Sequence, residues 1–496
     1  MLNVLLCTPL VAGLLALALP RVAAKWVVLL GTIVALGLAI GLVADHDASG
    51  GLQHVVEESW IPDLGVSYSL AVDGISVFLV LITALLWTAA VAYAALRGYP
   101  EDGRAKFFYS MLALGELATL GAFLAQDLLL FVLFFDLMLI PFFFQIGAFG
   151  NGDRVAATTK MIVYTLVGSL LMLVGAIATA ILVSDQTGEL SFSIPYLREN
   201  LLSSGSQEWI FCFFAAAFLV KMPAFPIHGW MPDAYRAAPL PVLALLSGVL
   251  SKVAAYGFLR VAFPLFPEAT VTFQETIMVI GVASILYGSV MAFTQTNVRL
   301  IAGYSSVAQL GFITIGLFAL TADGADGAVL QMVNHALVVV PVFLIIGILY
   351  ERFRTDDLTK MGGMAMRAPV LAALFLVVTM ATLAIPGSAN FIGEFYILNA
   401  VFQEKIVYAI VASAGVALAA FYALRMYQRS MHNRLPEGVE SREISWREGL
   451  VVAPLVACIV ALAFYPGLVL EQGEDAVATS VAPVYEQLHD LDFAQR

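Results

Sequence analysis

Apolar runs of about twenty residues recur along almost the whole chain, and short polar stretches separate them. A run of that length crosses the hydrocarbon core of a bilayer as a helix. The pattern predicts fourteen spans, near 2–19, 26–44, 71–96, 106–125, 127–147, 159–184, 208–231, 239–262, 276–295, 299–321, 326–350, 368–401, 405–428 and 448–470. The first run lacks a basic segment before it and more runs follow at once, so it reads as a span and not as a cleaved signal. Three connections are longer than the rest, at 45–70, 185–207 and 429–447. None suggests a second soluble domain. The fold class is therefore an all-α polytopic membrane protein.

Composition supports this. Hydrophobic residues make up 61% of the 496 and charged residues 12%, about half the usual charged share of a soluble domain. Mean hydropathy is +0.92. Cys7, Cys212 and Cys458 are far apart in apolar runs, a spacing that supports neither an iron–sulfur nor a zinc site. No glycine-rich dinucleotide fingerprint or phosphate loop occurs, so nucleotide and redox chemistry is expected elsewhere. The net charge of −12 comes mainly from loops and the C-terminal segment, and it does not point to nucleic acid. Lys and Arg fix an orientation, since they favour the inner side of membranes. With the N-terminus outside, eighteen fall in inner loops. Only Arg198, Arg260, Lys405 and Arg496 fall outside, and two lie within spans. One missed span would scramble this bias, so the count supports fourteen spans with both termini outside.

Six ionisable residues lie inside the spans: Glu116 in span 4, Asp136 in span 5, Lys221 in span 7, Lys252 in span 8, His335 in span 11 and Glu394 in span 12. A charge at the bilayer centre costs several kcal/mol, roughly 3 on insertion scales. Each residue taken alone fits a structural role, paired and buried between helices. Six of both signs in one chain fit a proton relay better. Burial drives a lysine toward its amine and a carboxylate toward its acid, and an opposite charge drives each back. A lysine whose partner can move is then a gated proton donor. His228 is compatible with a relay from Lys221 to the inner surface and equally with an interface role. Tyr304, Ser305, Ser306 and Gln309 fit a water-holding stripe or a packing face.

Two spans carry breaks. Pro223 and Pro226 follow Lys221, and Pro386 with Gly387 precedes Glu394. Proline removes a backbone donor and clashes with the preceding turn, and such backbone in a membrane lines a cavity or is buried in protein. Matching breaks mark inverted-repeat transporters. The breaks are fourth in spans 4–8 and fourth in spans 9–13, and an odd period of five inverts one unit against the other. This divides the chain into N-terminal helices at 1–105, repeat 1 at 106–262, repeat 2 at 263–428, and span 14 with an acidic tail at 429–496. The tail, 471–496, is expected to meet a neighbour or solvent on the outer side.

At these residues the chain resembles the antiporter-like subunits of respiratory complex I, the proton-pumping NADH:quinone oxidoreductase, and its M type in particular. LGVSYSLAVDGISV at 65–78, DLLLFVLFFDLMLIP in span 5, LVKMPAFPIHGWMPDA across the first break and IPGSANFIGEF across the second carry the likeness. Glu394 stands where related subunits usually have lysine, which is the M-type choice. The resemblance implies proton half-channels joined by a central lysine. Asp136 and Lys221 correspond to the span 5 acid and span 7 lysine, Lys252 to the connecting lysine, His335 to the span 11 relay and Glu394 to the exit-side acid. It implies an energy-transducing membrane, such as a bacterial cell membrane, and neighbouring L-like and N-like subunits. No cofactor is implied in this chain, with NADH, flavin, iron–sulfur clusters and quinone in partner subunits. The departures are Asp136 for the family's Glu, Gln309 for a histidine, and Tyr235 and Ala237 for the His and Glu of the segment after the break. Glu116 is a candidate substitute on the acid side. Two other readings stand beside this one: a subunit of a multisubunit cation/proton antiporter or membrane-bound hydrogenase, and a structural spacer whose pumping has decayed.

Overall fold

The computed structural model describes residues 1–100, 103–439 and 441–494. In chain order, α1 (Leu2–Ala18) and α2 (Arg21–Ala44) lead into strands β1 (Gln53–Ile61) and β2 (Val66–Val72). Next come α3 (Gly74–Leu96), α4 (Ala105–Leu124), α5 (Leu128–Phe149), α6 (Arg154–Thr187), α7 (Ile194–Glu199), α8 (Ser204–Lys221) and α9 (Met231–Ala237). Then follow α10 (Leu240–Leu265), α11 (Pro267–Thr272), α12 (Gln274–Thr294), α13 (Val298–Leu317) and α14 (Ala322–Phe353). The chain closes with α15 (Pro369–Thr382), α16 (Ala389–Glu404), α17 (Ile406–Met431), α18 (Trp446–Phe464) and α19 (Gly467–Ala494). Among the described residues, eleven helices are long and apolar enough to cross a membrane. The other three expected runs fall on the short α1, on α8, and on the interrupted pair α15 and α16.

Helix ends follow local chemistry. Asp73 begins α3 with a reciprocal cap, accepting from Ser76 N at 2.9 Å while Asp73 N donates to Ser76 Oγ at 3.0 Å. Asp127, Asn297, Thr321 and Ser445 cap α5, α13, α14 and α18 in the same spirit, each taking up a free backbone donor. The packing is layered. α10, α13 and α14 are buried throughout and form the centre. α6 instead turns Val163, Val167, Leu170 and Val174 outward on one stripe. Those exposed apolar side chains suit lipid, because no water-hating surface needs covering there.

Two features add to the all-helical expectation. The segment 45–70 contains an antiparallel hairpin, with Val56 opposite Leu70 and Glu58 opposite Tyr68. Its turn ends at Gly65, φ 64°, where a Cβ would fall 2.0 Å from the Leu190 carbonyl oxygen, so only glycine permits the approach. Asp127 ties the hairpin to α5, accepting from Ser67 N at 3.0 Å and Leu130 N at 3.0 Å. The second concerns the tail, which the sequence left as a segment meeting a neighbour or solvent. Its described residues lie in α19, which docks on this same chain against the ends of α3, α10, α11 and α14. Val469, Val477, Val481 and Val484 make its buried stripe, hidden in sequence by the acidic residues between them. Gly74 lets the α3 backbone touch that of Gln472, and Arg198 Nη2 donates to Thr479 O at 2.9 Å. Arg496, counted above with the outer residues, lies outside the described residues.

Candidate proton-path residues

α8 stops at Lys221 because Pro223 cannot continue the hydrogen-bond ladder, and the chain resumes helix only at Met231. Lys221 is buried at this broken end. Its Nζ donates to the Phe135 carbonyl oxygen and lies 3.3 Å from the centre of the Phe135 ring. Asp136 is its electrostatic neighbour, yet the two form no ion pair within 4.0 Å. Asp136 Oδ1 is buried with no hydrogen-bond partner. α5 is itself interrupted at Met138, because Pro141 lacks the N–H that would reach Leu137. A small cavity, with room for about one water, opens beside Lys221, lined also by Trp230, Tyr235 and Thr165.

Glu116 and His228 stand off this contact. Glu116 is fully buried, both its carboxyl oxygens lack a hydrogen-bond partner, and no charged group acts on it. His228 lies in the break between α8 and α9, with its ring centre 4.8 Å from that of Tyr287 and 5.9 Å from that of Phe225. Its Nδ1 is buried and unpartnered.

In the centre, two π-helical segments of α10, Leu246–Leu250 and Phe258–Ala262, flank Lys252. Wider turns of this kind recur at functional positions. Lys252 Nζ meets His335 Nδ1 at 2.7 Å and donates to Ser247 O at 3.1 Å and Ser251 Oγ at 3.3 Å. Ser247 Oγ donates in turn to Ser306 Oγ at 3.0 Å. Lys252 and His335 thus join α10 to α14 by a direct polar contact, all of it buried.

The far side repeats the design of a broken helix beside a cavity. α15 ends at Thr382, the chain turns through Pro386 and Gly387, and α16 resumes at Ala389. Glu394 Oε1 accepts from Gln309 Nε2 at 2.7 Å, and Gln309 Oε1 accepts from Gln331 Nε2 at 2.7 Å. A small cavity is lined by His335, Ser306, Gln309, Asn390 and Tyr422. Ser305 Oγ donates to Tyr422 Oη at 3.0 Å. Both polar atoms of the Asn390 side chain are buried without a partner, and a cavity holding water is the ordinary remedy for such groups.

The structure therefore brings Lys252, His335, Gln309 and Glu394 into one polar neighbourhood and places Lys221 near Asp136. Ser247, Ser251, Gln331 and Asn390 also belong to it, and their sequence context gave no signal, since Ser and Asn are ordinary in membrane helices. Polar vestibules flank the buried groups. One holds Lys160, Asp233 and Arg236, with Lys160 Nζ donating to Asp233 Oδ2 at 2.8 Å. Another holds Asp73, Arg198 and Arg260, with Arg260 paired to Asp73 at 2.9 Å. Hydroxyls, amides, an imidazole and buried acids and amines in such an arrangement suit proton transfer. Among the described residues, no three His, Cys, Asp or Glu side chains gather to hold a metal ion.

Comparison with known proteins agrees in extent and kind. Residues 125–419 match the family described as NADH:quinone oxidoreductase/Mrp antiporter, transmembrane. The chain is 37% identical to NADH-quinone oxidoreductase subunit M of Rhodobacter capsulatus, over 94% of this chain and 91% of that one. It is 35% identical to the subunit M of Escherichia coli K12, over 95% and 96%. Among solved structures, a chain of respiratory complex I from Thermus thermophilus superposes with a TM-score of 0.90 at 28% identity, covering 98% of this chain and all of that one.

Proposed function

The chain belongs to the NADH:quinone oxidoreductase/Mrp antiporter transmembrane family, and on that premise we propose that it is a membrane-arm subunit of a proton-translocating NADH:quinone oxidoreductase. It carries protons between buried groups while quinone is reduced elsewhere in the complex. The groups are Asp136, Lys221, Lys252, His335 and Glu394, with Gln309 bonded to the last of them. His228 serves uptake beside the break. Glu116 has no partner within this set and serves as a buried reserve acid. The observation that carries the reading is the Lys252–His335 contact at 2.7 Å, with a cavity holding Lys221 on one side and one reaching Gln309 on the other.

The chemistry follows from isolation. A buried ammonium is tolerable only beside an acceptor, so whichever neighbour approaches or withdraws decides where the proton rests. Lys221 has the Phe135 carbonyl as acceptor and Asp136 as a counter-charge that is not in contact. A small movement of either broken segment changes that balance. The two breaks, one before Met231 and one before Ala389, fall in corresponding places of spans 4–8 and 9–13, which favours two inverted units at 106–262 and 263–428. The N-terminal helices, 1–105, and the 429–496 segment flank them. Both termini lie on the outer, positive side. NADH, flavin, iron–sulfur clusters and quinone reside in partner subunits, and L-like and N-like subunits are the neighbours in the membrane. The antiporter reading shares the fold, and Glu394 with its Gln309 contact is the feature that favours the M type over it.

The test is proton uptake by proteoliposomes holding the assembled complex. Lys221→Ala is expected to lower uptake and quinone reduction together, by roughly tenfold or more if the lysine carries the proton. Wild-type uptake from the assembled Lys221→Ala complex would overturn the reading.

A further inference from the structure

Three helix ends meet on the arginine-rich side of the molecule: the close of α3 at Leu96, the close of α14 at Phe353 and the start of α18 at Trp446. A vestibule opens between them. Its cations are Arg97, Arg354, Arg442 and Arg447, and its acids are Glu351 and Glu448. Both acids are already engaged. Arg97 pairs with Glu351 and with Glu448, and the buried Arg352 reaches Glu448 at 3.4 Å. The deep wall thus sets two arginines against two glutamates, and the mouth keeps an excess of positive charge. Arg354 and Arg447 are exposed there, and neither pairs with a carboxylate among the described residues. Arg354 also stands in left-handed backbone, φ 55°, and closes α14 with its N–H on the Tyr350 carbonyl at 2.7 Å. Glycine is the ordinary residue at such an end. A long side chain held in that conformation points to a use for its guanidinium.

Next to these arginines the surface turns apolar. α18 shows Trp446, Leu450, Val460 and Phe464 outward, Trp446 with 70% of its surface exposed. At 3.6 residues per turn the four share one stripe, which runs from the vestibule to the far end of the helix. A tryptophan at the end of a span sits at the level of lipid headgroups. The charge therefore lies at headgroup depth, and the stripe lies at acyl depth on the same face.

We propose that this vestibule binds the phosphate of an anionic phospholipid, with Arg354 and Arg447 on the phosphate oxygens and an acyl chain along α18 past Leu450. The guanidinium fork matches a phosphate in geometry as well as charge, which an ammonium does not. Basic pockets between membrane helices suit anionic headgroups for the same reason. A zwitterionic lipid brings its own ammonium and gains less from the excess of arginine. The site needs only that the chain spans a membrane, and it stands apart from the relay reading.

The experiment uses the assembled complex in phosphatidylcholine bilayers. A trace of phosphatidylglycerol or of phosphatidylcholine carries a photoreactive group on one acyl chain, and labelled peptides are identified by mass spectrometry. The α18 segment is expected to take several times more label from phosphatidylglycerol. Arg354→Gly suits the left-handed backbone, and Arg447→Gln keeps most of the side chain. Each is expected to lower the phosphatidylglycerol label roughly fivefold and to leave the phosphatidylcholine label unchanged. Excess inorganic phosphate is expected not to displace the lipid. Equal labelling by the two lipids would overturn the site, as would full phosphatidylglycerol labelling of the double variant. Loss of label to free phosphate would overturn it too, by making the vestibule a seat for a soluble anion. So would the absence of label on α18 from either lipid, the result expected if a neighbouring subunit covers this face. Labelling requires no proton movement and is expected to be unchanged in Lys221→Ala, so failure of the lipid site leaves the relay reading standing.

Discussion

At position 136 the carboxylate hangs on one methylene, and Lys221 answers by turning its ammonium to the Phe135 carbonyl. The acid and the amine still act on each other electrostatically, but neither completes an ion pair. Asp136→Glu adds the missing methylene, and uptake in proteoliposomes is expected to match or exceed wild type. A severe loss would mean that the site has been rebuilt around the shorter acid. At His335 the expectation is opposite. His335→Phe removes the acceptor 2.7 Å from Lys252 Nζ and leaves that amine with Ser247 and Ser251 alone. Uptake is expected to fall by roughly tenfold or more, and an unchanged rate would show that Lys252 does not hand its proton to α14. The charged members of this set were legible in the sequence, because a charge inside an apolar run has few innocent explanations. Ser247 and Gln331 were not. Their partners come from other helices, and nothing in the local sequence sets them apart.

The broken helices were legible for the same reason that they break, since proline writes its effect into the chain. The π-helical turns on either side of Lys252 were not, because no residue type demands them. The hairpin at 53–72 was missed as a strand pair, because the last residues of β2, Ala71 and Val72, read as the start of the apolar run at 71–96. One element is held by a residue far from it in sequence. Glu443, in the loop before α18, accepts from Val370 N at 2.9 Å and Leu371 N at 3.1 Å, at the start of α15. A carboxylate at a helix N-terminus is worth roughly 0.3–1 kcal/mol. Burial alone would raise the Glu443 pKa, but the hydrogen bonds from Val370, Ile444 and Leu371 outweigh it and hold the group below its ordinary value of 4.5. A lowered pKa in the folded state means stability that is present above that ordinary value and is lost as pH falls through the folded one. Glu443→Gln is therefore expected to lower the apparent unfolding temperature at pH 7, with the difference from wild type shrinking in acid. A difference that persisted unchanged at low pH would show that the charge is not what holds α15.

At the scale of the whole molecule, the layer made by the hairpin, α7 and α19 sits on one side of the helices. The loops rich in arginine lie on the other. Asp73, Arg198, Arg260 and the start of α14 meet α19 or its vestibule, whereas Lys160, Asp233, Arg236 and the Arg97–Glu448 pair lie at the opposite ends of their helices. The sequence supplied the polarity of this arrangement through its Lys and Arg count, but not the covering helix, whose valine stripe is diluted by acidic neighbours. If the arginine-rich side faces inward, as basic loops prefer, the hairpin faces outward. Glu58 on the hairpin and Asp153 before α6 are both exposed and report on opposite sides. In a background with Cys7, Cys212 and Cys458 replaced by serine, Glu58→Cys is expected to react with a membrane-impermeant maleimide in right-side-out vesicles. Asp153→Cys is expected to react only in inside-out ones. The reverse pattern would turn the molecule over, and with it the direction in which protons enter beside His228 and leave beyond Glu394.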